Sequence, residues 1–330
     1  MSINLQIGTG NFFNDIDNHV ATAIRNQTSK GVDDKYKVSL HTSKNGKNKF
    51  VFIPEEHTKL DPESKFLFEI IVDDNYPDIT YVLEISKQNE YVYEQKLYPS
   101  SNIQVSYIYI NSKGQKDKIE YGDIRSHYEP LYTFKYYRTL SPIEIQNICD
   151  NIETGINIFQ DFLQNLFYGN EKGMSIEIGK MARLAANTSE IIWGDNKHTG
   201  YSFFIPIINI MNNLKKKSGD SEYSTLLLYI HDVLVNIIKK LKTKLSSVVL
   251  YQAIHSALTK PVVGETRYLP LLHLISIVND MSVLLTIFYN FYNYTGAGQI
   301  VVFVYGGSHV INLKAAIESL SKHKVEGFGY

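Results

Sequence analysis

Cysteine is almost missing from this 330-residue chain. Cys149 is the single one, so an intrachain disulfide and a cysteine cluster for zinc are both excluded. That usage fits an intracellular, reducing compartment. Cys149 lies in the helical pattern "SPIEIQNICDNI" and reads as a small buried hydrophobe. A clean apolar run is missing too. The most apolar stretch, 268–294, carries His273, Asn279 and Asp280 in its middle, which argues for a buried core helix and against a membrane span. The start "MSINLQIGTGNFF" has no basic segment followed by an apolar one, so no signal peptide is expected. Net charge is also scarce. At a formal −1 the chain offers no electrostatic footprint for nucleic acid.

Other absences narrow the chemistry. There is no Gly-Lys-Ser/Thr phosphate loop and no HExxH helix. "GTGNFF" at 8–13 follows no strand, and "GAGQIV" at 296–301 precedes one, whereas a phosphate turn has to follow a strand and open a helix. His231 and His255 sit in amphipathic helical patterns and read as packed or surface histidines. Only five arginines occur, at 25, 125, 138, 183 and 267. Lysine is the default cation here, so an arginine hints that two-pronged hydrogen bonding matters where it stands.

The 44% of apolar residues and 20% of charged ones describe a globular chain. A helix is expected near 13–27, then strands near "YKVSLH" and at 49–53 ending at Pro54. "DPESKFLFEIIV" reads as a helix with Asp61 as N-cap and Pro62 in its first turn. "DITYVLEIS" gives a strand over 79–85, which completes a βαβ unit and implies a parallel pair. "NIQVSYIYIN" reads as a third strand near 103–110, followed by a turn at Lys113–Gly114 and a polar segment. From the capping box "SPIE" onward, helices are expected over 142–168, 175–191, 203–216, 221–244, 246–258 and 269–294. A last strand at 300–305 and a last helix follow. The expected fold class is α/β, with a mostly parallel central sheet flanked by helices and a large helical insertion between the third and last strand regions. It is read as one domain over 1–330: a sheet half at 1–140, a helical insertion at 141–295, and a completing strand and helix at 296–330.

Two places repeat one design. "FVFIPEEH" runs from strand through Pro54, Glu55 and Glu56 to His57, and "VVFVYGGSH" runs from strand through Gly306, Gly307 and Ser308 to His309. Ends of parallel strands are where loops converge and ligand sites lie. Two histidines there can hold a metal or act as general acid and base. Glu84, alone in an apolar strand, is costly to bury unless paired or ligating. Asp123 and Arg125 in "GDIRS" add a carboxylate and a cation. Ser308 as a nucleophile is disfavoured, because Val310 stands where a nucleophile elbow needs a small residue.

The order "EEH", "LEIS", "DIR", "GGSH" resembles the GxxH superfamily, which includes TraB/Tiki proteins, ChaN-like proteins and erythromycin esterases. "DIRS", "VNDMSVLLTIF" and "VFVYGGSHVINLKAAIESL" resemble more closely still uncharacterised proteins of giant DNA viruses. The likeness covers roughly 45–130 and 275–322. It implies a sheet with helices on both faces and a catalytic set of His57, Glu84, Arg125 and His309. Tiki-like members are metal-dependent peptidases, whereas the esterases use His and Glu without metal. Where a divalent ion is bound, Glu56, His57 and His309 are the expected ligands, and mixed oxygen and nitrogen donors suit Mn or Zn.

The expected function is hydrolase-like, acting on a small-molecule or peptide substrate by peptide or ester hydrolysis, metal-assisted or not. The alternative is a catalytically inactive viral structural or host-interaction protein, in the host cytoplasm or virion, that keeps the fold and binds a protein partner. Pro54, standing where the superfamily has its first glycine, and the 24 Tyr and 16 Phe residues support it.

Overall fold

"NKFVFIPE" and "QIVVFVYG" are almost unbroken apolar runs, the pattern of strands covered on both faces. They pair with each other at the centre of the sheet. The structure, a computed structural model, describes residues 12–42, 48–55, 61–85, 90, 102–123, 137–193, 204–218, 231, 234–236, 238–239, 242, 246–259, 276, 279–284 and 298–322. The chain divides into two compact units, one of residues 1–123 with 289–330 and one of residues 124–288.

The first unit holds a five-stranded sheet. Its strands are β1 (Ser39–Thr42), β2 (Asn48–Glu55), β3 (Ile79–Leu83), β4 (Ile119–Tyr121) and β5 (Gln299–Gly306). They lie in the order β1-β2-β5-β3-β4. The pairs β2/β5, β5/β3 and β3/β4 are parallel, and only β1 runs antiparallel, against β2. The fold is therefore α/β with a mostly parallel sheet. Register sets Phe52 beside Phe303, whose rings stack at 4.9 Å.

Helices α1 (Phe12–Ser29), α2 (Pro62–Asp73) and α3 (Asn102–Ser112) cover one face. Ile16, Val20, Leu67, Ile71, Tyr107 and Ile110 pack there against Val51, Ile53, Tyr81, Leu83, Val302 and Val304. The α2 start follows its sequence signals: Asp61 accepts from the Ser64 N–H at 2.8 Å, and Pro62 opens the helix. Gln27 ties this layer together, donating to Asp61 and accepting from the Val38 N–H at 2.8 Å. Helix α8 (Gly307–Lys322) follows β5 without a loop. (Helices α4 to α7 lie in the second unit.) Its His309 ring packs on Tyr305, which belongs to the opposite row of β5 side chains.

One element differs in type from its sequence reading. Residues 103–110 form helix α3, not a strand. The β-branched and aromatic residues of "IQVSYIYI" favour a strand locally. Burial of Ile103, Tyr107 and Ile110, spaced as one helical face, overrides that preference. Gly114, at φ +69°, turns the chain after it, and the edge strand β4 falls in the segment read as polar.

Glu90 is a densely bonded carboxylate beside α3 and β4. Its carboxylate accepts from Tyr107 at 2.7 Å and Tyr121 at 2.5 Å, and pairs with Lys116 at 2.8 Å. Burial pushes the Glu90 pKa up, but the hydrogen bonds from Lys116, Tyr121 and Tyr107 outweigh it and bring it down to about 2 from 4.5. A carboxylate with a depressed folded pKa stabilises fully above its unfolded value, and the contribution is lost as pH falls through the folded one. Glu90→Gln should therefore cost about 2 kcal/mol at pH 7, allowing for solvent screening. It should also flatten the acid side of the stability curve between pH 4.5 and about 2. Urea unfolding across that range checks both.

The second unit's described elements are helical: α4 (Pro142–Phe167), α5 (Glu171–Trp193), α6 (Ile205–Ser218) and α7 (Ser247–Thr259). The Ser141–Glu144 capping box forms at α4, and Cys149 is buried there with Ile148 and Ile152. Burial pushes the Cys149 thiol up to about 12, so it is inert at neutral pH. His231 packs against Phe167 at 5.0 Å and His255 stacks on Tyr251 at 5.9 Å, consistent with packing roles. Among the described residues, no helix is long and apolar enough to cross a membrane.

Candidate functional site

The C-terminal ends of β2, β5 and β3 lie side by side, and the helix after β5 starts on the face opposite α2 and α3. Strand ends beside such a switch in helix direction are the usual ligand position in α/β sheets. Glu55 ends β2 in register with Gly306, the last residue of β5, and Glu84 comes directly after β3. Asp123 reaches the same edge, its N–H donating to the Ile85 carbonyl at 3.1 Å.

Glu84 is held from three sides. Its own N–H extends the sheet by donating to the Val304 carbonyl at 3.1 Å. Carboxylate Oε2 accepts from the Gly306 N–H at 2.6 Å, and Oε1 lies 3.6 Å from His309 Nε2. The two side chains are 1% and 12% exposed, so the pair is shielded while the imidazole keeps an edge towards solvent. The Tyr305 ring, fully buried, supports His309 edge-on at 6.1 Å. His309 is the third residue of α8, so its backbone is fixed by helix rather than loop.

Strand alternation separates the two glutamates. Val51 and Ile53 face the α1–α3 layer, and so does Glu55, whose Oε2 accepts from the Ile103 N–H at 2.8 Å in the first turn of α3. Glu84 faces the α8 side, where His309 lies. Glu55 and Glu84 thus face opposite sides of the sheet. Glu55 had no distinct signal in the sequence beyond being a carboxylate at a strand end. Tyr305 could have been found from its position four residues before His309.

The glycines of "GGSH" have ordinary backbone conformations. Among the described residues, positive φ occurs at Gly31, Gly114, Gly169 and Gly298 and, among non-glycines, at Asn75. Gly306 and Gly307 therefore need no special backbone conformation. Gly306 supplies an N–H to Glu84, and Gly307 is small because the chain at 35–36 presses on it. A Cβ at Gly307 would lie 3.0 Å from the Lys35 carbonyl oxygen and 3.0 Å from the Tyr36 ring. Gly307→Ala should therefore cost about 1–2 kcal/mol in urea unfolding. Ser308 is exposed.

Pro54 does not end its strand. It lies within β2 opposite Tyr305, beyond Phe52, the last β2 residue that β1 pairs, where an open strand edge tolerates proline. His57 is thus two residues past its strand end and His309 three past its own. Glu56, His57 and Arg125 lie outside the described residues. Among the described residues, no group of three His, Cys, Asp or Glu side chains is gathered to hold a metal ion. His309 and Glu84 supply one nitrogen and one oxygen donor side by side. No family model, curated protein or solved structure matches the chain.

Proposed function

We propose that the protein is a hydrolase-like α/β protein in which His309 and Glu84 act together as the acid–base pair for peptide or ester hydrolysis. The observation that carries this reading is the buried Glu84 carboxylate 3.6 Å from His309 Nε2 at the strand-end switch point. Glu84 orients the ring. The other nitrogen, Nδ1, then exchanges the proton with the attacking water and the leaving group. Arg125 stabilises an anionic group, and His57 is a second base or ligand. The metal-assisted version adds Glu56 and His57 to His309 as ligands of Mn or Zn. In this reading the chain is a relative of the GxxH superfamily and of giant-virus proteins. It works inside cells, with the helical stretch between β4 and β5 as an insertion in the sheet domain. A screen of ester and peptide substrates, with and without added Mn²⁺ and Zn²⁺, tests it: hydrolysis by the native chain and none by His309→Ala is expected. Hydrolysis equal in both would overturn the assignment.

A further inference from the structure

Arginine is scarce in this chain, so what each arginine touches is informative. Arg25 donates to the Thr22 hydroxyl at 3.2 Å and Arg183 to the Gly179 carbonyl at 3.4 Å, each within its own helix. Arg138, four residues before α4, is exposed and has no hydrogen-bond or ion-pair partner among the described residues. Glu144, the acidic residue closest to it in sequence, is engaged elsewhere. It accepts from the Ser141 N–H at 2.6 Å and the Ser141 hydroxyl at 2.7 Å.

A lone exposed guanidinium is ordinarily just solvated, but this one lines a cleft of about 280 Å³ within the second unit. The chain entering α4 contributes Leu140, Pro142 and Ile145 to the lining. Helix α7 contributes Tyr251, His255 and Leu258, which recur at helical spacing on one face. The cleft is thus mainly apolar, with a cation and an imidazole on its lining. The His255 ring stacks on Tyr251 at 5.9 Å and 27°, which fixes its plane and leaves its nitrogens without a described partner.

We propose that this cleft binds a small monocarboxylate with an apolar body. The Arg138 guanidinium takes the carboxylate in a two-pronged pair, His255 adds a donor, and Leu140, Ile145 and Leu258 receive the body. A phosphate ester fits less well, because its more highly charged head loses more hydration against an apolar lining. The volume lies near the lower end for ligand pockets, about 300 Å³, and suits a molecule of about ten heavy atoms. No group in this cleft belongs to the His309–Glu84 pair, so the inference is independent of the hydrolytic reading.

Isothermal titration with phenylpropionate, its uncharged amide and acetate tests the proposal. The native chain should bind phenylpropionate saturably at about millimolar concentration. The amide, which lacks the charge, and acetate, which lacks the body, should each bind about tenfold more weakly or worse. Arg138→Gln should bring phenylpropionate down to the level of the amide, and Arg138→Lys should restore only part of the loss. His255→Ala should weaken binding about threefold. Arg138 and His255 are both exposed, so unfolding midpoints should stay at the native value. No saturable binding by the native chain would overturn the proposal. So would equal binding of acid and amide, or full affinity in Arg138→Gln; Arg138 would then be a solvated surface residue.

Discussion

Replacing His309 with alanine is expected to cut hydrolysis about 10²- to 10⁴-fold, the usual contribution of a positioned acid–base group. The fold should survive. The side chain is 12% exposed, stands in the first turn of α8 and is not part of the apolar cluster beneath α1–α3. Its loss removes an edge contact with Tyr305 and the neighbour of Glu84 Oε1, which together should cost about 1 kcal/mol. Loss of activity with an unchanged unfolding midpoint would separate chemistry from folding. An equal fall in both would mean that the ring is structural.

Glu84→Ala should do more damage, because it removes two interactions from a buried place. The Gly306 N–H would lose its 2.6 Å acceptor, and His309 its carboxylate neighbour. A charge-assisted hydrogen bond of this kind contributes about 1.5–3 kcal/mol, and a buried donor left unpaired carries its own cost. Destabilisation of about 3 kcal/mol is expected, with activity down at least as far as in His309→Ala. Glu84→Gln should recover most of the stability by keeping an acceptor for Gly306, and little of the activity. Urea unfolding and initial-rate measurements on both variants read these two effects separately.

Much of the sheet was legible because its central strands are apolar runs too short and too β-branched for helices, as in "VVFVY". Helix starts at Asp61–Pro62 and Ser141–Pro142 were legible because caps are local chemistry. The strand reading of 103–110 failed for the opposite reason: local propensity and tertiary burial disagreed, and burial of Ile103, Tyr107 and Ile110 won. Pro54 misled in a similar way. A proline reads as a stop, but the end of β1 at the level of Phe52 leaves an open edge where the strand continues to Glu55. At the site, Glu84 was legible as a lone carboxylate in an apolar strand. The separation of Glu55 from Glu84 was not, since it follows from register and pleat across strands far apart in sequence. Nor was the role of Gly307, which depends on the remote segment at 35–36.

The same geometry ties the stability and activity predictions together. The pair stands on the ends of β3 and β5, so whatever moves Gly306 moves both partners. Gly307→Ala should accordingly lower activity as well as stability, with the rate loss exceeding what the unfolded fraction alone would produce.

The central claim is that His309 and Glu84 act as one unit. A double-mutant cycle on a single hydrolysed ester or peptide tests it most directly, comparing the native chain, His309→Ala, Glu84→Gln and the double variant. The double variant should be no slower than His309→Ala alone, because Glu84 works through the ring. Losses that multiply, or native hydrolysis no faster than that of His309→Ala, would contradict it.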